Sequence, residues 1–149
     1  NGLTVGGGVV FAACCDLRLA AESAWFSIPE VDLGLPLTWN ALPRLMRELG
    51  PARTKELVMT CDRFTSRDAE RWGFVNHVYA DGALLHAARA LAKKLLSKES
   101  MALALTKTAT NALARQMVPP EATQADREML FLADFLSRRG ASSGGPEPS

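Results

Sequence analysis

The chain has 149 residues, 48% hydrophobic and 22% charged, with a formal net charge of +1. That length supports one core and is too short to expect two separate domains, and the near-neutral balance leaves no electrostatic footprint for nucleic acid or a charged membrane. No apolar run reaches the length of a membrane span, and the odd cysteine count (Cys14, Cys15 and Cys61) lacks metal-binding spacing, which predicts reduced thiols in a reducing compartment and no metal.

The first element is a short apolar run, Leu3-Thr4-Val5, that breaks into Gly6-Gly7-Gly8. A small-residue apolar helix is predicted from Val9 to Cys15, with Cys14 and Cys15 as small buried hydrophobes. A strand feeding a glycine turn and a helix leaves N–H groups unpaired at the helix start, where the dipole suits an anion or a developing negative charge. Glycine triplets also serve as plain flexible turns, and the residues alone leave both readings open. Two phosphate motifs are excluded: Gly2 and Gly7 have P-loop spacing but are followed by Gly8 and Val9, and contiguous glycines do not make G-x-G-x-x-G.

Asp16 to Ala21 alternates as a half-buried strand, with Leu17 and Leu19 inward and Asp16 and Arg18 outward. Ala24 to Ser27 is a second strand, and Pro29 restricts the backbone ahead of Glu30, which by itself reads as a surface carboxylate beside a turn. Thr38 to Gly50 reads as a helix interrupted by Pro43, and Gly50-Pro51 opens the next helix, to about Thr60. Thr65 to Asp68 fits a capping box before a helix that stops at Gly73, and Phe74 to Tyr79 is an edge-like strand. His77 and His86 read as structural or solvated. The alternation of strand and helix indicates an α/β class for residues 1–80. Residues 81–139 are purely helical, with apolar stripes at Leu84, Ala88, Leu91 and Leu95, at Met101, Leu105, Ala109 and Ala112, and at Ala122, Ala125, Met129, Leu132 and Leu136. Such faces need the α/β part or another subunit to cover them. Residues 140–149 form a polar Gly/Pro/Ser-rich tail expected to be disordered.

Several blocks together resemble the enoyl-CoA hydratase/isomerase (crotonase) superfamily. They are Asn1-Gly2 with Gly6-Gly7-Gly8, Cys15-Asp16, Ala20-Ala21-Glu22, Phe26 through Pro29-Glu30 to Leu33-Gly34, Gly50-Pro51-Ala52-Arg53, and Ala69 to Val75. The resemblance implies a partial ββα spiral core followed by a helical C-terminal region. It also implies an acyl-CoA substrate whose CoA is not a separate cofactor, a trimer-based homo-oligomer, and a cytoplasmic or organelle-matrix setting. It places the Gly7 amide at the thioester oxygen, with the partner amide in an earlier segment, so that this piece alone is expected to be nearly inactive. It makes Glu30 the proton-transfer group, and Gly6, Gly8, Val10, Pro29, Leu33 and Trp39 acyl-pocket neighbours.

The departures from the pattern bear on the reaction. Val10 stands where the hydratases carry a second glutamate, which favours a one-base double-bond shift over hydration. The block P-G-x-G-G-T is here Pro36-Leu37-Thr38-Trp39-Asn40-Ala41, placing a tryptophan beside the acyl pocket. A closing D-D-x-x-E-G segment is not recognisable in Leu130 to Arg139. A catalytically silent acyl-CoA binder or assembly subunit is the alternative.

Overall fold

The computed structural model of the chain describes residues 1–119 and 126–142. Strand β1 (Leu3–Val5) runs parallel to β3 (Trp25–Ser27) with Val5 opposite Ser27, and β4 (Phe64–Thr65) flanks β3 antiparallel. A second parallel ladder joins β2 (Leu19–Ala21) to β5 (His77–Tyr79). Parallel neighbours need a crossover, and between β1 and β3 it contains helix α1 (Gly7–Ala13). Five more helices follow among the described residues: α2 (Ala41–Thr60), α3 (Ser66–Arg71), α4 (Leu84–Leu96), α5 (Ser100–Met117) and α6 (Asp126–Ser142). None of the helices is long and apolar enough to cross a membrane.

The core joins Val9, Val10 and Ala13 of α1 to Phe26, Ile28, Leu45, Leu57, Phe64 and Phe74. Phe26 stacks on Phe64 at 5.1 Å between ring centroids, and Phe74 meets Phe26 edge-on at 5.9 Å, the offset and edge geometries that the ring quadrupoles favour. Thr65 and Asp68 form the expected capping box, the Thr65 hydroxyl accepting from the Asp68 N–H and the Asp68 carboxylate accepting from the Thr65 N–H. The Thr65 hydroxyl, then the Thr65 N–H and Arg71, hold the Asp68 carboxyl below the usual carboxylate range.

Four expectations are corrected. The strand predicted from Asp16 begins only at Leu19, and its alternation fails there: Leu17 is exposed, while the Arg18 side chain is only 9% exposed. Arg18 folds inward because it finds a full set of acceptors. It donates to the carbonyls of Phe74 and Cys15, pairs with Glu48, and lies 4.9 Å over the Phe74 ring. Cys14 and Cys15 are exposed, since α1 ends at Ala13 before its buried face reaches them; only Cys61 is buried. Pro43 interrupts nothing. The helix starts at Ala41, so Pro43 sits in the first turn, where its missing N–H has no intrahelical partner to lose. The break falls at Gly50 (φ 74°), with Pro51 restarting the helix as predicted. Finally, the strand predicted from Phe74 begins at His77, and Phe74 is a core residue.

Arg18→Ala should destabilise the folded protein by about 3 kcal/mol, because two carbonyls and a carboxylate lose a charged donor in a largely dry place. Urea unfolding of the variant checks this, and a loss under about 0.5 kcal/mol would reduce Arg18 to a surface residue.

In the helical region Leu84, Ala88, Leu91 and Leu95 of α4 face Leu17 and Leu19 across a groove of about 490 Å³. The stripe on α5 lies open, with Met101, Leu105, Ala109 and Ala112 all exposed. On α6 Met129 is half-buried, and Leu132 and Leu136 are exposed. Ala122, Ala125 and residues 143–149 of the predicted tail lie outside the described residues, while α6 extends through Ser142.

Candidate active site

Parallel pairing of β1 and β3 brings the chain segments leaving both strands to one edge, the place where crevices form in sheets of this kind. From β1 the chain passes directly into Gly6 and Gly7; from β3 it passes through Ile28 and Pro29 to Glu30. The two exits are tied together, since the Gly6 N–H donates to the Ser27 carbonyl at 2.9 Å. Ser27 is itself anchored, its hydroxyl donating to the Cys61 carbonyl at 3.0 Å. Gly6 takes a φ of 54°, a left-handed turn that aims α1 away from the strand.

Glycine is also required here for space. A Cβ on Gly6 would lie 2.9 Å from Glu30 Oε1, and one on Gly7 would lie 2.6 Å from Trp39 Cζ3 and 2.9 Å from Cη2. The glutamate therefore packs against one glycine and the indole against the next. The Gly7 N–H belongs to the first turn of α1, where no carbonyl of the helix can accept it.

Glu30 is held by its backbone. Its carbonyl accepts from the N–H groups of Leu33 and Leu35, at 3.1 and 2.9 Å, closing a short 3-10 turn over Val31–Leu33. The side chain is half-buried, and Oε2 is fully buried without a hydrogen-bond partner among the described residues. A buried carboxylate oxygen with no donor is costly, and such groups persist where strain is stored, where catalysis uses them, or where a water or ion binds.

Gly7, Val10, Glu30 and Trp39 meet around one cavity of about 200 Å³, closed further by Leu35, Pro36, Leu37, Thr38 and Leu130. Of the residues expected at the site, Gly6 touches Glu30 from behind. Gly8 faces Thr4, and neither Gly8, Pro29 nor Leu33 lines the cavity; Leu33 is exposed. Leu35, Leu37 and Leu130 were not anticipated. Leu35 and Leu37 lie in a loop without period, and Leu130 comes from a helix remote in sequence. The cavity carries one carboxylate, since Val10 is apolar and buried.

The loop that carries Trp39 has an unusual backbone. Trp39 (φ 62°) and Asn40 (φ 51°) are consecutive left-handed residues without being glycine. Asparagine tolerates that region, whereas for a bulky side chain it costs roughly 1–2 kcal/mol. These are the two positions where the related pattern has its glycine pair.

The family model for enoyl-CoA hydratase/isomerase matches residues 1–140. The chain is 40% identical over 111 residues to a crotonyl-CoA hydratase from Syntrophomonas wolfei, covering 74% of this chain and 43% of the relative. It is 38% identical over 107 residues to a carnitinyl-CoA dehydratase from Salmonella typhi, covering 72% of this chain and 41% of the relative. It thus spans about two fifths of the length of these relatives. Among solved structures, an enoyl-CoA hydratase from Mycobacterium tuberculosis H37Rv superposes with a TM-score of 0.84 at 26% identity, over 93% of this chain and 62% of that one. With a match along nearly the whole chain, a shared fold, and glycine turn and glutamate at one sheet edge, the chain belongs to the enoyl-CoA hydratase/isomerase family.

Proposed function

We propose that the protein containing this chain acts on enoyl-CoA thioesters and moves their double bond with Glu30 as a single acid–base group. The observation that carries this reading is the partnerless, buried Glu30 Oε2 in a cavity that also holds the free end of α1 at Gly7. A thioester oxygen set against the Gly7 N–H receives hydrogen-bond and dipole stabilisation as it becomes an enolate. Glu30 takes a proton from one carbon, the electron pair moves toward the thioester carbonyl, and the protonated Glu30 returns the proton at the other end of the conjugated system. The second oxyanion donor belongs, by resemblance, to a segment outside this stretch, so the activity is that of a protein supplying both. No cofactor is required for this chemistry beyond the CoA carried by the substrate.

Hydration needs water to be positioned and its proton moved, work for which the hydratase pattern that this chain resembles has a second carboxylate where this chain has Val10. The relatives are named for hydration and dehydration, which makes hydration the competing reaction. A 3-enoyl-CoA should be converted to the 2-enoyl ester, while a 2-enoyl-CoA in ¹⁸O-labelled water should take up little label; rapid formation of labelled 3-hydroxyacyl product from the 2-enoyl ester, with no conversion of the 3-enoyl ester, would overturn the preference. A non-catalytic binder is favoured by one observation, the Trp39 ring beside Gly7, and would show CoA-ester binding with neither product.

A further inference from the structure

We infer that Trp39 is a size-selecting wall of the acyl pocket, restricting the protein to short acyl groups. The inference rests on the reading that this cavity receives an acyl thioester. Its ground is a conjunction of three observations. The indole edge sits against the Cα of Gly7, so close that a single added carbon there would collide with it. The ring is carried by two consecutive left-handed residues, a backbone suited to glycine that bears a large side chain instead. And the space left is about 200 Å³, a half-open pocket lined by Leu35, Pro36, Leu37 and Leu130 around the one carboxylate.

Backbone strain of this kind clusters at ligand clamps and switch regions. A cavity of about 150 Å³ holds a benzene ring, and drug-sized ligands occupy roughly 300–1,000 Å³. The space these residues leave beside Glu30 is therefore of the size of a short acyl group. A longer chain has to displace Trp39, which is 73% exposed and has open solvent to swing into. The ring thus acts against long chains by occupying their path, a repulsive form of selectivity. The companion contacts are apolar, so the wall sorts by length and leaves polar discrimination to Glu30 and Thr38.

The test uses binding of unreactive saturated esters to the whole protein, so that it does not depend on turnover. Calorimetric affinities for butanoyl-CoA and decanoyl-CoA are compared in the wild type, Trp39→Gly and Trp39→Phe. Trp39→Gly should shift the affinity ratio toward decanoyl-CoA by at least ~10-fold, the worth of burying about two further methylene groups. Trp39→Phe, which keeps a ring at the position, should fall between. An unchanged ratio in Trp39→Gly, or no affinity for either ester in the wild type, overturns the inference. A shifted ratio in a protein that turns over no enoyl-CoA sustains the wall and refutes the catalytic reading instead.

Discussion

Glu30→Gln should lower kcat on an enoyl-CoA by about 10²–10⁴-fold, the usual worth of a positioned proton-transfer group, while CoA-ester affinity changes only a few-fold. The amide keeps the size and polarity of the carboxylate and can still fill the space beside Gly6, but it cannot accept and return a proton. The same substitution removes an ionisable oxygen that is buried without a partner. Folding stability should therefore hold or rise, by up to about 1 kcal/mol, the trade-off expected where a site is kept for chemistry at a cost to the fold. Steady-state kinetics, calorimetric binding and urea unfolding on one preparation read all three quantities. Near-wild-type turnover would remove Glu30 from the mechanism, and a matching collapse of stability would reduce it to a structural group.

The second large effect is expected at Gly7. Gly7→Ala places a methyl group 2.6 Å from Trp39 Cζ3, closer than carbon atoms can sit, so ring or helix start must move. The ring is the softer of the two, being exposed, whereas Val9 and Val10 lock α1 into the core. Alanine also favours a helix over glycine by about 1 kcal/mol, which offsets part of the strain. Stability should consequently stay near wild type while kcat/KM falls toward the ~10²-fold typical of a compromised oxyanion donor. Because the collision has one identified partner, Gly7→Ala combined with Trp39→Gly should recover ~10-fold of that loss, a non-additivity that separate effects would not produce. Failure to recover would point to the alanine methyl itself obstructing the amide; full activity in the single variant would mean that the Gly7 N–H is not used.

How much of this was legible beforehand varies with the range of the interaction responsible. The glycine turn, the break at Gly50-Pro51 and the capping box at Thr65 and Asp68 are local, governed by which φ a residue allows and which neighbour can accept a hydrogen bond. The break and the capping box appear as read, while the turn is confined to Gly6, since α1 starts at Gly7, two residues before the predicted Val9. Arg18 was misread as an outward strand residue because alternation assumes that charge seeks water. Its partners Glu48 and Phe74 are 30 and 56 residues away, and nothing near Arg18 announces them. Cys14 and Cys15 were misplaced by an end effect, since two residues of overrun at a helix terminus turn exposed positions into buried ones.

The sequence by itself determined the family and the chemistry that can be assembled: a glycine bend that leaves an amide free, one carboxylate after Pro29, and valine where a second carboxylate would stand. The residue types and their short spacing are written in the chain itself, and their roles follow from the resemblance those blocks bear to the family. Tertiary structure alone decided that the bend and the carboxylate face one another, because that follows from a parallel register, Val5 opposite Ser27, between residues twenty-two positions apart. It alone decided that Trp39 lies over Gly7 and that Leu130 helps close the cavity. Packing is a property of surfaces brought together by the whole chain, and no local pattern encodes which surfaces those will be.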